Sequence, residues 1–325
     1  MEYTVVIRTL GKAGGKYQKM LDSLKSQTMP PKEIIVYIAE GYDIPKETIG
    51  VERYVYVKKG MVAQRALSYD EVNTEYILFL DDDVYFPNDG VEKMFLELKK
   101  HSADIISPDV FPNSSRPFLT ELLMTLSGRM RARRNDKVWG YKVMRTSGFS
   151  YNKYPRKSVY WSETNAGPCF LCRKATFLEA KFQEELWLDK MAYPLGEDEV
   201  LFYKMYKLGY KQLTIYNCGI EHLDAATSRI DAERSKKIIY SDFYFKTVFW
   251  HRFIYLPDQS MIYRVYDLLC IFYVWIFTLL VSLLKLNFRI FIVKLSAIVD
   301  ALKFIRSDKY KSLPLIKNKE SRNYA

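Results

Sequence analysis

Short apolar runs, each bounded by polar or glycine-bearing stretches, recur through the first two-thirds of the chain. They predict strands at 3–7, 33–38, 54–57, 76–80 and 104–106. Between them, 17–26 and 61–72 carry helical spacing; in the first, Met20, Leu21 and Leu24 share one face. Strand and helix signals in alternation predict an α/β fold with a mainly parallel central sheet and helices on both sides. From 111 to 160 the pattern gives way to a basic, aromatic stretch with Arg129, Arg131, Arg133, Arg134, Lys137, Trp139, Tyr141 and Lys142. That stretch reads either as a solvated insertion or as a surface for an acceptor or membrane phosphate. Regular patterning resumes at 166–172 and runs to about 224.

Beyond residue 230 the composition shifts. Residues 268–284 hold only Thr278 and Ser282 as polar positions, and 286–299 is apolar apart from Asn287, Arg289, Lys294 and Ser296. Tyr263, Tyr266 and Trp275 toward one end, with Lys285 and Arg289 at the other, are interfacial markers, so this region is expected to attach to a membrane. Seventeen residues is at the short limit for crossing a bilayer, so spanning and lying in the interface both stay open.

The chemistry concentrates at two acidic constellations. Tyr76-Ile77-Leu78-Phe79-Leu80 ends in Asp81-Asp82-Asp83, which delivers three carboxylates to the carboxyl end of a buried strand. Ligands bind at that edge of open α/β sheets. Crowded carboxylates repel unless a cation neutralises them, and hard oxygen donors suit magnesium or manganese held together with substrate phosphates. Gly196-Glu197-Asp198-Glu199 opens a helix with Leu201, Met205 and Leu208 on its apolar face; capping accounts for one or two of these acids, not three. His222, one of three histidines, follows a strand end and is a candidate metal ligand.

Composition narrows the partners. Lys+Arg 49 against Asp+Glu 38 gives +11, favouring anionic ligands, while 26 Tyr and 19 Phe exclude a disordered basic protein. Four Cys in 325 residues form no disulfide framework, and a strand signal at 3–7 stands where a signal peptide would be, so a reducing compartment is expected.

Together these motifs resemble the family 2 glycosyltransferases of GT-A fold. Val6-Ile7-Arg8-Thr9 with Ser23-Leu24-Lys25-Ser26-Gln27 resembles that family's first strand and helix, and Glu33-Ile34-Ile35-Val36 its second strand. Lys59-Gly60 with Ala63-Gln64-Arg65 resembles the segment before the metal motif. Leu80-Asp81-Asp82-Asp83 stands at the DxD, Gly196-Glu197-Asp198 at the ED motif and His222 at the late metal-binding histidine. Ala39-Glu40-Gly41 departs from the usual Asp-Asp-Gly, Lys204 stands where arginine is common, and Arg8 replaces a frequent proline.

The resemblance implies transfer of a sugar, with inversion, from a nucleotide-diphosphate donor, a UDP-sugar first, to an acceptor hydroxyl. Asp198 would be the base and Glu197 its orienting partner. Thr9, Arg8, Glu40, Arg65, Asp81 and Asp82 would meet the donor, with Lys59 a further phosphate or structural contact. Asp83, Asp81 and His222 would hold Mn2+ or Mg2+. The expected organisation is a GT-A domain over 1–230, a helical connector over 231–265, a membrane-associated segment over 266–306 and a polar tail over 307–325. The acceptor would be a saccharide or lipid-linked, in cell-surface polysaccharide or glycolipid assembly on the cytoplasmic face of the membrane, without nucleic acid. Two rivals remain: a zinc-stabilised nucleic-acid- or anion-binding protein built on Cys169, Cys172, Cys218 and His222, and a catalytically silent membrane scaffold.

Overall fold

The computed structural model describes residues 1–110, 117–130, 139–152, 158–223, 232–257 and 260–316. The chain opens with β1 (Tyr3–Thr9), α1 (Gly15–Lys25), β2 (Glu33–Ala39), β3 (Glu52–Val57), β4 (Tyr76–Asp81) and the short β5 (Val84–Tyr85). It continues with α2 (Gly90–Lys100), β6 (Ile105–Pro108), α3 (Phe118–Leu126), β7 (Tyr141–Val143), β8 (Ser150–Asn152), β9 (Val159–Trp161) and β10 (Cys169–Arg173). Then come α4 (Lys174–Glu179), α5 (Glu197–Lys207), β11 (Gln212–Ile215) and β12 (Glu221–His222). Helices α6 (Ala232–Trp250), α7 (Met261–Leu284), α8 (Phe288–Arg306) and α9 (Asp308–Lys311) complete it.

Eight strands form the central sheet in the order β3-β2-β1-β4-β10-β6-β11-β9. The β1, β2, β3 and β4 pairings and β6 with β11 are parallel; β10 runs antiparallel to both β4 and β6. Side chains alternate across this sheet as a period of two requires. Tyr3, Val5, Ile7, Leu78 and Leu80 face a core with α1 and α2, whereas Val6, Ile77 and Phe79 face one with α4, α5 and α6. The α/β expectation therefore holds, and the early strands lie where the apolar runs placed them.

Three expectations change. Residues 61–72 form turns, not a helix. The Asp189 carboxylate accepts the Val62 and Ala63 amides at 2.8 and 3.0 Å, and the Ala66 amide still reaches the Val62 carbonyl. The Leu67 amide turns instead to the Arg65 carbonyl, and Tyr69 takes a left-handed φ of 53°, which ends the turn before a helix forms. The basic stretch 111–160 contains α3 and a β7–β8 pair; within it Arg129 is half-buried, its guanidinium over Phe149 and Phe243, while Arg131, Arg133, Arg134 and Lys137 lie outside the described residues. The apolar tail is two unlike helices. The apolar window of α7 has mean hydropathy 2.3 and is one-third buried, long and apolar enough to cross a membrane. By contrast α8, with Arg289, Lys294, Asp300, Lys303 and Arg306, buries Ala297, Ile298 and Ala301. Phe243, Trp250 and Ile254 share their apolar cluster with Ile271 and Trp275 of α7 and with Ala297 and Ile298 of α8.

Candidate active site

Parallel pairing of β1 with β4 puts Arg8 in register with Asp81, on the sheet face toward α5. Helix α5 starts at that same edge, so its first two acids meet the strand ends. The result is a buried cluster of two arginines and three carboxylates. Arg8 grips Asp81 through Nε at 2.5 Å and Nη2 at 3.2 Å, and meets Glu197 at 2.6 Å. Arg65, with 3 % of its side chain exposed, reaches Asp198 at 2.9 Å, Glu197 at 3.3 Å and the Gly167 carbonyl at 3.0 Å. Bidentate pairing of this kind fixes direction as well as charge.

The electrostatics follow from crowding. Burial pushes Glu197 up to about 7, against the downward pull of Arg8 and Arg65, and its Oε2 is buried without a hydrogen-bond partner. Burial also works to raise Asp81, but Arg8 outweighs it and holds that carboxyl below the usual range. Asp82 rises to about 6 through burial, with the charges of Asp81 and Asp83 adding to it, while Thr9 donates its hydroxyl to Asp82 at 2.5 Å.

Asp198 is the most open of the paired acids, with about a third of its side chain exposed. Its Oδ1 faces Arg65, and its Oδ2 accepts the Gly167 amide at 3.2 Å. A Cβ at position 167 would overlap this carboxylate, so glycine is required there. Gly196, at φ 80°, packs on the Phe245 ring and turns the chain into α5.

On the other flank, β12 pairs with β5 and sets His222 beside Val84. His222 Nε2 lies 3.1 Å from Asp83 Oδ1, and the Leu223 amide donates to the Asp83 carbonyl at 2.8 Å. This pair fits a six-coordinate divalent ion: two donors about 2.1 Å from such an ion at a right angle lie about 3 Å apart. Among the described residues no cluster of three or more His, Cys, Asp or Glu side chains is arranged as a metal site.

Arg8, Thr9, Asp81, Asp82, Asp83 and His222 border one open cleft of about 470 Å³. Of the other sequence candidates, Lys59 also lines it, Arg65 lies beneath it and Glu40 is exposed outside its lining. Sequence reasoning missed Lys12 and Gln64 in the wall, and Tyr42, which Lys12 and Lys59 flank at 5.0 and 4.8 Å from its ring. Gly11-Lys12-Ala13-Gly14-Gly15 directly after a strand was the available signal for Lys12. The zinc alternative fails on geometry. Cys169 and Cys172 are three residues apart on β10 and face opposite cores, so they cannot converge on one ion.

Residues 4–157 match the family model described as glycosyl transferase family 2. The match covers just under half of the chain. Helix α5 and His222 join the strand ends of the matched part from beyond the matched region. No curated protein matches the sequence. Among solved structures, S. aureus TarS 1–349 is similar at 12% identity and TM-score 0.46, over 84% of this chain and 70% of that one. A second S. aureus TarS structure is similar at 14% identity and TM-score 0.47, over 84% and 43%. GalNAc-T7 with UDP, GalNAc and Mn2+ is similar at 12% identity and TM-score 0.49, over 81% and 52%. The chain thus spans less than two-thirds of the last two.

Proposed function

We propose that the protein transfers a sugar from a nucleotide-diphosphate donor to an acceptor hydroxyl with inversion, and does so at a membrane. The observation that carries this reading is the joining of both acidic motifs through two arginines: Arg65 bridges Asp198 to Asp81 and Arg8 bridges Glu197 to Asp81, two residues before the Asp83 that pairs with His222. Asp83 and His222 would hold Mn2+ or Mg2+, with donor oxygens and water completing the shell. Such an ion, when bound, would offset charge building on the leaving diphosphate. Lys12 and Lys59 in the wall add fixed positive charge for the same phosphates.

Asp198 takes the acceptor proton as the new bond forms. Arg65 and the Gly167 amide fix the carboxylate so that its orientation is set before the acceptor arrives. Glu197, wedged between Arg8 and Arg65, keeps those arginines in place, and so positions Asp81 and Asp198. One displacement of this kind needs no enzyme nucleophile.

Membrane attachment is supported by α7. Ile262, Val265, Leu269, Phe272, Ile276, Leu280 and Leu284 make an exposed apolar stripe at helical spacing. Helix α3 adds the exposed Phe118, Leu119, Leu122 and Leu126, and is joined to α7 by the Tyr273 hydroxyl on the Leu126 carbonyl at 2.6 Å. A membrane-borne acceptor in surface polysaccharide or glycolipid assembly fits this placement, and the four free cysteines fit the cytoplasmic face.

The direct test is Asp198→Asn. Transfer should fall by roughly 100- to 10,000-fold while donor affinity is retained. Transfer at the normal rate would remove Asp198 from its role and, with it, this reading of the site.

A further inference from the structure

Helix α7 has two faces along its whole length. Asp267, Ile271, Val274, Trp275, Thr278 and Ser282 are its buried residues, running from the second turn to the last. About 100° of rotation per residue puts them on one side, opposite Leu269, Phe272, Ile276, Leu280 and Leu284, which are half or more exposed. The helix is fastened to the body at three levels. Near its start, Asp267 accepts Arg145 of the β7–β8 turn at 2.8 and 3.1 Å. At mid-length, the Tyr273 hydroxyl donates to the Leu126 carbonyl at 2.6 Å, and Gly128, just past α3, lies so close that an added Cβ would stand 3.2 Å from Val274. Near its end, Lys294 of α8 donates to the Ser282 hydroxyl at 2.8 Å and the Thr278 carbonyl at 3.3 Å.

A 24-residue helix is about 36 Å long and a bilayer's hydrocarbon core about 30 Å thick, so length alone permits crossing. The fastenings do not. A crossing α7 would carry its midpoint contacts to the bilayer centre. Gly128 would come with it, and its carbonyl accepts the Thr146 and Ser147 hydroxyls at 2.9 and 2.8 Å, so the β7–β8 turn would follow. Irregular backbone is not tolerated against lipid at that depth. Lys294 and the half-buried Arg129 would also be drawn in, and charged groups are unfavourable there. Lying flat avoids all of this, because the buried side stays on the protein while the exposed side meets lipid.

We infer that α7 lies in the plane of one leaflet, and that α3, α7 and the α7–α8 turn make one lipid-docking face. Helix α3 buries none of its residues and presents Phe118, Leu119, Leu122 and Leu126 beside α7. The turn contributes Leu286 and Phe288, 78% and 60% exposed, interleaved with the exposed Lys285 and Arg289. Apolar and basic side chains in alternation suit the boundary between acyl chains and anionic headgroups. The partner is therefore a lipid surface carrying negative charge. This inference rests on the membrane reading of α7 and adds its orientation: the α7–α8 turn stays on the same side of the membrane as the α/β domain.

The test places a single new cysteine at either of two exposed positions of the full chain, Lys25→Cys on α1 or Lys285→Cys in the α7–α8 turn, each with Cys270→Ser. Cys169, Cys172 and Cys218 are buried and stay silent. Sealed vesicles from expressing cells are isolated by flotation and treated with a membrane-impermeant maleimide, before and after mild detergent. In vesicles oriented so that Lys25→Cys labels fully, Lys285→Cys should label fully as well. A Lys285→Cys protein that is protected there until detergent is added would show that α7 crosses, and would overturn the inference. Purified protein should also float more fully with phosphatidylglycerol vesicles than with phosphatidylcholine vesicles; equal flotation would contradict the basic part of the face. Protein that floats with no vesicles would instead remove the membrane reading itself, and a doubled mass in sedimentation equilibrium would then assign the face to a second copy of the chain.

Discussion

Glu197 is the residue on which the buried cluster turns. It sits 3% exposed between two arginines that also serve Asp81 and Asp198, so two positive groups must satisfy three negative ones. Its folded ionisation near 7, against an ordinary 4.5, means that the folded state holds this proton more tightly than the unfolded chain does. The contribution to stability is full below about pH 4.5 and is lost as pH rises through about 7, up to about 3 kcal/mol. Urea unfolding of parent and Glu197→Gln proteins should show the parent's relative stability falling over that window. A flat or rising difference would mean that the arginines hold Glu197 ionised throughout. Sequence alone could place Glu197 at a helix start, but not between Arg8 and Arg65. Those contacts join residues more than 130 positions apart.

At the scale of elements, α5 is tied down along its length. Its Lys204 reaches Glu184 at 2.7 Å and Glu185 at 3.1 Å, and Arg252, in the wide turn that continues α6, closes on the same Glu185 at 2.8 Å. Glu185 is completely buried and also accepts the Trp187 indole at 2.8 Å. Removing one partner of such a group leaves charge without compensation, so Arg252→Met should cost roughly 3 kcal/mol. Denaturant unfolding measures this, and an unchanged midpoint would show that Lys204 alone suffices. Strands β1, β2 and β4 were legible because they are buried on both faces and read as unbroken apolar runs. Segment 61–72 was misread because Met61, Val62, Ala66 and Leu67 have helical spacing, which carries no sign that Tyr69 takes a left-handed conformation at φ 53°. The reversed direction of β10 was equally hidden, since an apolar run carries no sign of orientation.

For the whole molecule, the proposed membrane attachment rests on the exposed face of α7. Leu269→Glu, Ile276→Glu and Leu280→Glu change side chains that are 66%, 57% and 50% exposed, so the fold should survive them. Together they should move the protein from the membrane to the soluble fraction, because charges on a lipid-facing helix each cost a few kcal/mol. An unchanged distribution would show that α7 contributes nothing to attachment. Sequence exposed two apolar runs here, but composition does not say which face of either packs on α6.

The central claim is that Asp83 and His222, at the edge of the carboxylate cluster, form a divalent-ion site completed by the donor's diphosphate. Calorimetric titration with UDP-, GDP-, dTDP- and CMP-sugars, with and without manganese, tests it most directly in the parent and in Asp83→Ala, His222→Ala protein. One nucleotide class should bind, manganese should tighten it at least about tenfold, and the double variant should lose that gain. Equal donor affinity in both proteins, indifferent to manganese, would contradict the account.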